Sequence, residues 1–238
     1  MIGLLQAEAL KYRRTPTLLL SIGVPIGLGL LIWAVLTFGS GMSSLKGPAG
    51  WKMLGEFMTQ MWMQMVLPFG AAIISSQVWG LETQDNHLKH LLVQPITRTQ
   101  VYFTKLIALI ALIGLGILVM GLVYLGIGGI RGFGEGQQVL TLLKNLGLTG
   151  LVALPLVTLH LWISMRVKAM TLNISLAVLG VMAAGFAAGS KFWYYIPWTY
   201  APAVLSPKFH DMALILGGSV TLVLILLSVL DFRRRDLH

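Results

Sequence analysis

The chain has 238 residues, of which 56% are hydrophobic and only 11% charged, with a mean hydropathy of +0.82. A soluble domain carries about 25% charged residues, so this composition excludes an ordinary soluble enzyme, a disordered tail and a nucleic-acid binder. The formal charge of +9 lies on loops and tails, where it reads as topology and contact with lipid headgroups.

In chain order, residues 2–14 predict an amphipathic helix. Ile2, Leu5, Ala9 and Tyr12 fall on one face, and Glu8, Lys11 and Arg14 on another. Such a helix lies along the membrane surface before Pro16 turns the chain into a span. The alternative is a basic anchor with no further role.

Six segments free of Asp, Glu, Lys and Arg follow, at 17–38, 57–79, 106–130, 145–165, 169–190 and 212–230. Each is close to the ~20 residues that cross a bilayer as a helix. A run such as 214–230 lacks the alternation a barrel strand needs. The expected fold is therefore all-α: a single polytopic membrane domain of six transmembrane helices over 1–238. Pro25, Pro68 and Pro155 lie inside spans and predict kinks.

Six spans place both termini on one side. That side carries eleven Lys and Arg, and an equal length of chain on the other side carries six. The positive-inside rule then makes both termini cytoplasmic in the cell membrane. Cysteine is absent, which excludes disulfides and thiolate metal sites.

The long inner loop, 80–105, is punctuated. Asp85 or Asn86 can cap a short helix whose apolar face is Leu88, Leu91 and Leu92, and Pro95 ends it. Thr97 and Gln100 have capping-box spacing and predict a new helix running into the third span. The loop reads as helix, break, helix on the membrane surface, suited to docking another protein. The plainer alternative is a simple re-entry loop.

Within the spans, Gln60, Met61 and Gln64 make a candidate substrate pathway, with Gln60 and Gln64 four apart on one helical face. Helix packing is the competing account. His160 is the sole ionisable side chain in a span and a functional candidate for that reason. It has no acidic or histidine companion nearby in sequence, so a metal site is not expected there. His160 and Ser164 share a helical face, which leaves an intramembrane hydrolase as an alternative, although no Gly-x-Ser-x-Gly surrounds the serine. Trp193, Tyr194, Pro197 and Trp198 belong to an aromatic, proline-rich outer stretch that reads as an outer gate or an interfacial belt. The glycine-rich run 126–136 reads as a flexible turn.

The order Glu82, Asp85-Asn86, Leu88, Leu91-Leu92, Pro95-Ile96-Thr97-Arg98 and Lys105 resembles the coupling segment of ABC type-2 exporter permeases. Glu8-x-x-Lys11-x-x-Arg14 ahead of the first span is similar to their start, and the short chain resembles the lantibiotic-immunity permeases among them. Asn86-His87 stands where many members have Gly-Thr. The resemblance implies a bacterial inner-membrane permease whose coupling helix docks in a groove of a separate ATP-binding subunit dimer. Leu88, Leu91 and Leu92 would be its anchors, with Glu82 and Arg98 near the membrane. It also implies pairing with a second copy or a sister permease, and re-entrant outer helices. ATP and Mg would reside in the partner. The chain has no Gly-x-x-x-x-Gly-Lys-[Ser/Thr] loop, so no enzymatic activity or cofactor of its own is expected. The apolar interior favours an amphipathic or hydrophobic cargo such as an antimicrobial peptide. A non-transporting membrane scaffold or sensor is the alternative.

Overall fold

A computed structural model describes residues 2–12, 15–39, 46–83, 97–136, 138–167, 169–187 and 189–234. The described residues are helical, with no strand among them. Helix α1 is Ile2–Tyr12 and α2 is Pro16–Phe38. Pro16 occupies the first turn of α2, where its missing N–H costs nothing. Helix α3, Gly47–Met61, runs through a π turn, Trp62–Val66, into α4, Leu67–Thr83. The π turn sits just before Pro68. It widens the helix where the proline ring would otherwise strike the carbonyl of residue 64.

Helix α5 is Arg98–Ile130, opened by the expected capping box. The Gln100 N–H donates to Thr97 Oγ1 at 3.2 Å, and the Thr97 N–H donates to Gln100 Oε1 at 2.9 Å. Helices α6, Val139–Val152, and α7, Leu154–Arg166, follow end to end with a bend of 47° between them. The bend falls at Ala153, two residues before Pro155. Helix α8 is Met170–Ala187. Two short 3-10 turns, Trp193–Tyr195 and Pro197–Thr199, lead into α9, Tyr200–Val204, and then α10, His210–Arg234. Among the described residues five helices are long and apolar enough to cross a membrane, and six spans result when the bent pair counts as one.

Two helices outrun their apolar segments. Gly47–Leu81 has 35 residues and Arg98–Ile130 has 33, so each is about 50 Å long against a hydrocarbon layer of about 30 Å. The bundle is arranged for lipid. Leu19, Leu30, Leu179, Phe186 and Ile215 are exposed, whereas Lys105, Thr149, Thr158, His160 and Asn173 are buried. Helix α2 packs on α5, α4 on α7 and α8, and α10 on α7. Helix α1, the end of α4, the start of α5 and the end of α10 converge on one end of the bundle, called here the proximal end.

The glycine-rich run is held in place at the opposite, distal end. Trp51 lies flat on Gly128, where a Cβ would fall 2.0 Å from the indole. Its Nε1–H donates to the Gly134 carbonyl at 3.0 Å, and Gly132, Gly134 and Gly136 turn with positive φ. The expectation of a flexible turn is thus replaced by an anchored one, because an aromatic side chain from α3 supplies the contacts that the glycines lack.

Candidate functional site

Three groups of residues make up the candidate site: a stitched proximal end, a buried polar network, and a distal segment that reaches that network.

At the proximal end, α10 is tied to three helices. Arg98, the first residue of α5, donates from Nη1 to the carbonyls of Phe232 and Arg233 at 3.2 and 3.1 Å. Among the described residues these carbonyls have no partner further along α10, and a cation there also suits the helix dipole. Tyr102 of α5 accepts from Ser228 at 2.7 Å. Phe232 packs edge-on against Trp79 of α4, with ring centroids 5.4 Å apart. Asp231 takes the Arg166 guanidinium of α7 through Nε, at 2.9 Å, and Nη2, and also the Trp162 N–H at 2.9 Å. Helices α4 and α5, which flank residues 84–96 in the sequence, therefore both touch the end of α10. Asn86, Leu88, Leu91, Leu92 and Pro95 lie outside the described residues, and Glu82 belongs to the last turn of α4.

The N-terminal helix is locked to the same region. Lys105 donates to both carboxylate oxygens of Glu8, at 2.9 and 2.8 Å. The Tyr12 hydroxyl donates to Glu8 at 2.5 Å and Lys11 at 3.2 Å. Glu8 and Lys105 are both buried. The helical face assigned to Glu8 from its charge therefore points into the bundle, because the partner that neutralises it lies 97 residues on.

The network is centred on Asn173 of α8. Its Nδ2 donates among Ser76 Oγ of α4 at 2.8 Å, Ser164 Oγ at 2.6 Å and the His160 carbonyl at 3.2 Å, both of α7. A carbonyl only accepts, so the amide orientation is set and Oδ1 faces His160 Nδ1 at 3.3 Å. Nδ1 of a neutral imidazole then carries the proton, and Nε2 is a bare acceptor. Nε2 is buried and has no partner among the described residues. Ser164 donates to the His160 backbone carbonyl at 2.7 Å. Its hydroxyl is therefore not paired with the imidazole, and the arrangement lacks the serine–base contact of a hydrolase. Among the described residues, no group of three or more His, Asp or Glu side chains gathers.

The distal segment reaches this level. Trp198 lies against Gly180, where a Cβ would fall 2.1 Å from its ring. Gly180 is seven residues from the end of α8, so the segment dips about 10 Å into the bundle. The Trp198 ring meets His160 at 90° with centroids 6.1 Å apart. Pro197 opens the turn that carries Trp198. Thr199 closes back on the carbonyls of Trp193 and Ile196, and Tyr200 donates to the Tyr194 carbonyl at 2.8 Å. The structure thus brings together His160 and Trp198, which the sequence offered as separate candidates. Trp193 and Tyr194 sit on the preceding turn.

Gln60 lines a distal polar cleft of about 450 Å³ with Glu56, Thr59, Gln138, Thr141 and Asn145. Gln64, which is exposed, does not line it. Gln64 lies within the π turn Trp62–Val66, whose wider winding breaks the four-residue register that would align it with Gln60. Met61, half-buried, ends α3 just before that turn.

Residues 4–184 match the model of a family described as ABC-2 family transporter protein. The chain belongs to that family. The match takes in the N-terminal helix, the 84–96 segment, His160 and Asn173. No curated protein matches the chain. As an ABC-2 family member with several apolar membrane-length helices, it is a multi-pass membrane protein and a permease subunit of an ABC transporter.

Sequence reasoning passed over Asn173 and Ser76, which join three helices. The usable signal was a single amide in the 169–190 segment and the polar run Ser75-Ser76-Gln77 in the 57–79 segment. A search for ionisable groups alone misses neutral polar residues, which in a membrane interior also demand partners.

Proposed function

We propose that this ABC-2 permease subunit exports an amphipathic or lipid-like substrate, of which an antimicrobial peptide is one example. A separate ATP-binding subunit dimer, holding ATP and Mg, drives it. The permease works with a second copy or a sister permease, in a bacterial inner membrane with both termini cytoplasmic. The observation that carries the reading is the convergence at the proximal end. Both flanks of the 84–96 segment touch the final turns of α10, through Trp79 on one side and Arg98 and Tyr102 on the other.

Leu88, Leu91 and Leu92 anchor the segment in the partner's groove, with Asn86 and Pro95 bounding the docking helix and Glu82 and Arg98 at the membrane edge. A push on the segment moves α4 and α5 and, through Phe232 and Asp231, α10 and α7. Helix α7 carries His160, against which Trp198 rests. Trp193, Tyr194, Pro197 and Trp198 then act as the outer gate, and Gln60, Met61 and Gln64 face the exit route. Support for an amphipathic cargo comes from the composition of the spans, which contain no Asp, Glu, Lys or Arg over their apolar lengths.

The test is Leu91→Asp in the reconstituted complex. ATP-driven efflux should vanish while membrane insertion is unchanged. Efflux that survives the substitution removes the docking role.

A further inference from the structure

At the distal end, α8 and α10 leave their apolar segments beside two lysines. Lys191 is the residue directly after the 169–190 segment, and Lys208 stands four residues before the 212–230 segment begins. The turns that join the two helices fold into a pocket. Ala184 of α8, Trp193 of the first 3-10 turn and Ala203 of α9 contribute to its lining, together with Lys191, Ser206 and Lys208. Gly189, with positive φ, turns the chain out of α8, and Lys191 follows it into the lining. On the other side the Trp193 ring packs on Phe209 with centroids 5.0 Å apart. The Lys208 ammonium lies 5.2 Å from the centroid of that same Phe209 ring, which holds it at the pocket.

The lining offers donors and no carboxylate. Among the described residues neither Lys191 nor Lys208 makes an ion pair. Asp211, three residues on from Lys208, is outside the lining and is not paired with it. The hydroxyls of Ser190 and Thr199 are spent on backbone carbonyls. The Trp193 indole N–H and the Ser206 hydroxyl make no hydrogen bond among the described residues. Two ammonium groups and two neutral donors are thus gathered with no acidic group to receive them, and such a set selects an anion.

We propose that this pocket holds the phosphate of an acidic phospholipid in the leaflet at the distal end. Phe186, Phe192 and Tyr195, each within two residues of a lining residue, are exposed. Exposed aromatic rings at the end of a span sit at headgroup depth, so the lysines meet lipid phosphates where these are already concentrated. The rings also give the acyl chains apolar surface directly beside the cations. A free anion would use the lysines and leave that surface bare. A zwitterionic headgroup would bring its own ammonium against two lysines, with no carboxylate in the lining to receive it. The site requires only that the chain span a membrane; neither the cargo nor the ATP-binding partner takes part in it.

The experiment uses the full chain in phosphatidylcholine liposomes. A trace of phosphatidylglycerol, or in a parallel sample of phosphatidylcholine, carries a photoactivatable diazirine next to the glycerol backbone, and the labelled residues are mapped by mass spectrometry. The expected result is labelling at Phe192, Trp193 and Phe209 that is several-fold stronger with the phosphatidylglycerol probe. This labelling falls several-fold in Lys191→Gln/Lys208→Gln. It is unchanged in Lys46→Gln/Lys144→Gln, which removes the same charge from the same end of the bundle outside the pocket. All four lysines are exposed, so neither double variant disturbs the core. Excess inorganic phosphate, compared with chloride at matched ionic strength, should leave the labels in place. Equal labelling by the two probes, labels that survive in the pocket variant, or an equal loss in both double variants overturns the site. Displacement by inorganic phosphate would make it a free-anion site and would overturn the lipid assignment.

Discussion

Lys105 and Glu8 form a buried ion pair in which the ammonium reaches both carboxylate oxygens, at 2.9 and 2.8 Å. The pair joins the first helix to the helix that follows the 84–96 segment. Tyr12 and Lys11 fill the remaining positions on the carboxylate. Removing one partner strands the other charge away from water, which costs about 3–5 kcal/mol in a buried pair. Glu8→Leu and Lys105→Met should each lower the melting temperature in detergent sharply. The double variant should recover most of the loss. Independent, additive losses would mean that the two charges are not coupled.

Asn173→Ala should loosen the contacts among α4, α7 and α8. It leaves the Ser76 and Ser164 hydroxyls and His160 Nδ1 without their shared partner. Interhelical hydrogen bonds in membranes average about 0.6 kcal/mol and reach about 1.7, so a loss of about 1–2 kcal/mol is expected for the network. Steric unfolding in lipid bicelles measures it. A variant as stable as the parent would argue that the network is incidental.

Gly180→Ala should evict Trp198. The new methyl would fall 2.1 Å from the indole, well inside any tolerated contact, and overpacking of this kind costs about 1–3 kcal/mol. Tryptophan fluorescence in a background with Trp198 as the only altered reporter should show greater access to a water-soluble quencher. Unchanged quenching would place the ring elsewhere.

Arg98→Ala should act on coupling more than on folding. The guanidinium caps carbonyls at the end of α10, an exposed helix-end interaction worth about 0.3–1 kcal/mol. In the assembled transporter, ATP turnover per substrate moved should rise, with little change in melting temperature. Parallel losses of stability and transport would reduce Arg98 to a structural cap.

The sequence was most informative where one local rule acts alone. The long apolar runs mark the spans, Thr97 and Gln100 mark the start of α5, and Pro155 marks the bend at Ala153. Each of these depends on neighbours within a few residues. The relationships between distant residues were not readable. Glu8 looks like a surface charge until Lys105 is placed against it, and Asn173 is an unremarkable amide until Ser76, His160 and Ser164 surround it. The π turn is intermediate: Pro68 announces a disturbance, but not that the wider turn would carry Gln64 away from the cleft that Gln60 lines. The helices also extend past the apolar segments at residues 47–56 and 98–105, because helix ends are set by capping and packing and not by hydropathy.

The most direct measurement is purification of the tagged chain from its native membrane, with mass spectrometry of what accompanies it and an ATPase assay of the complex. The account predicts a stoichiometric ATP-binding subunit whose association and ATP turnover are lost on Leu91→Asp or Leu92→Asp. A chain that purifies without any nucleotide-binding companion, or one whose companion stays bound and active in both variants, would contradict it.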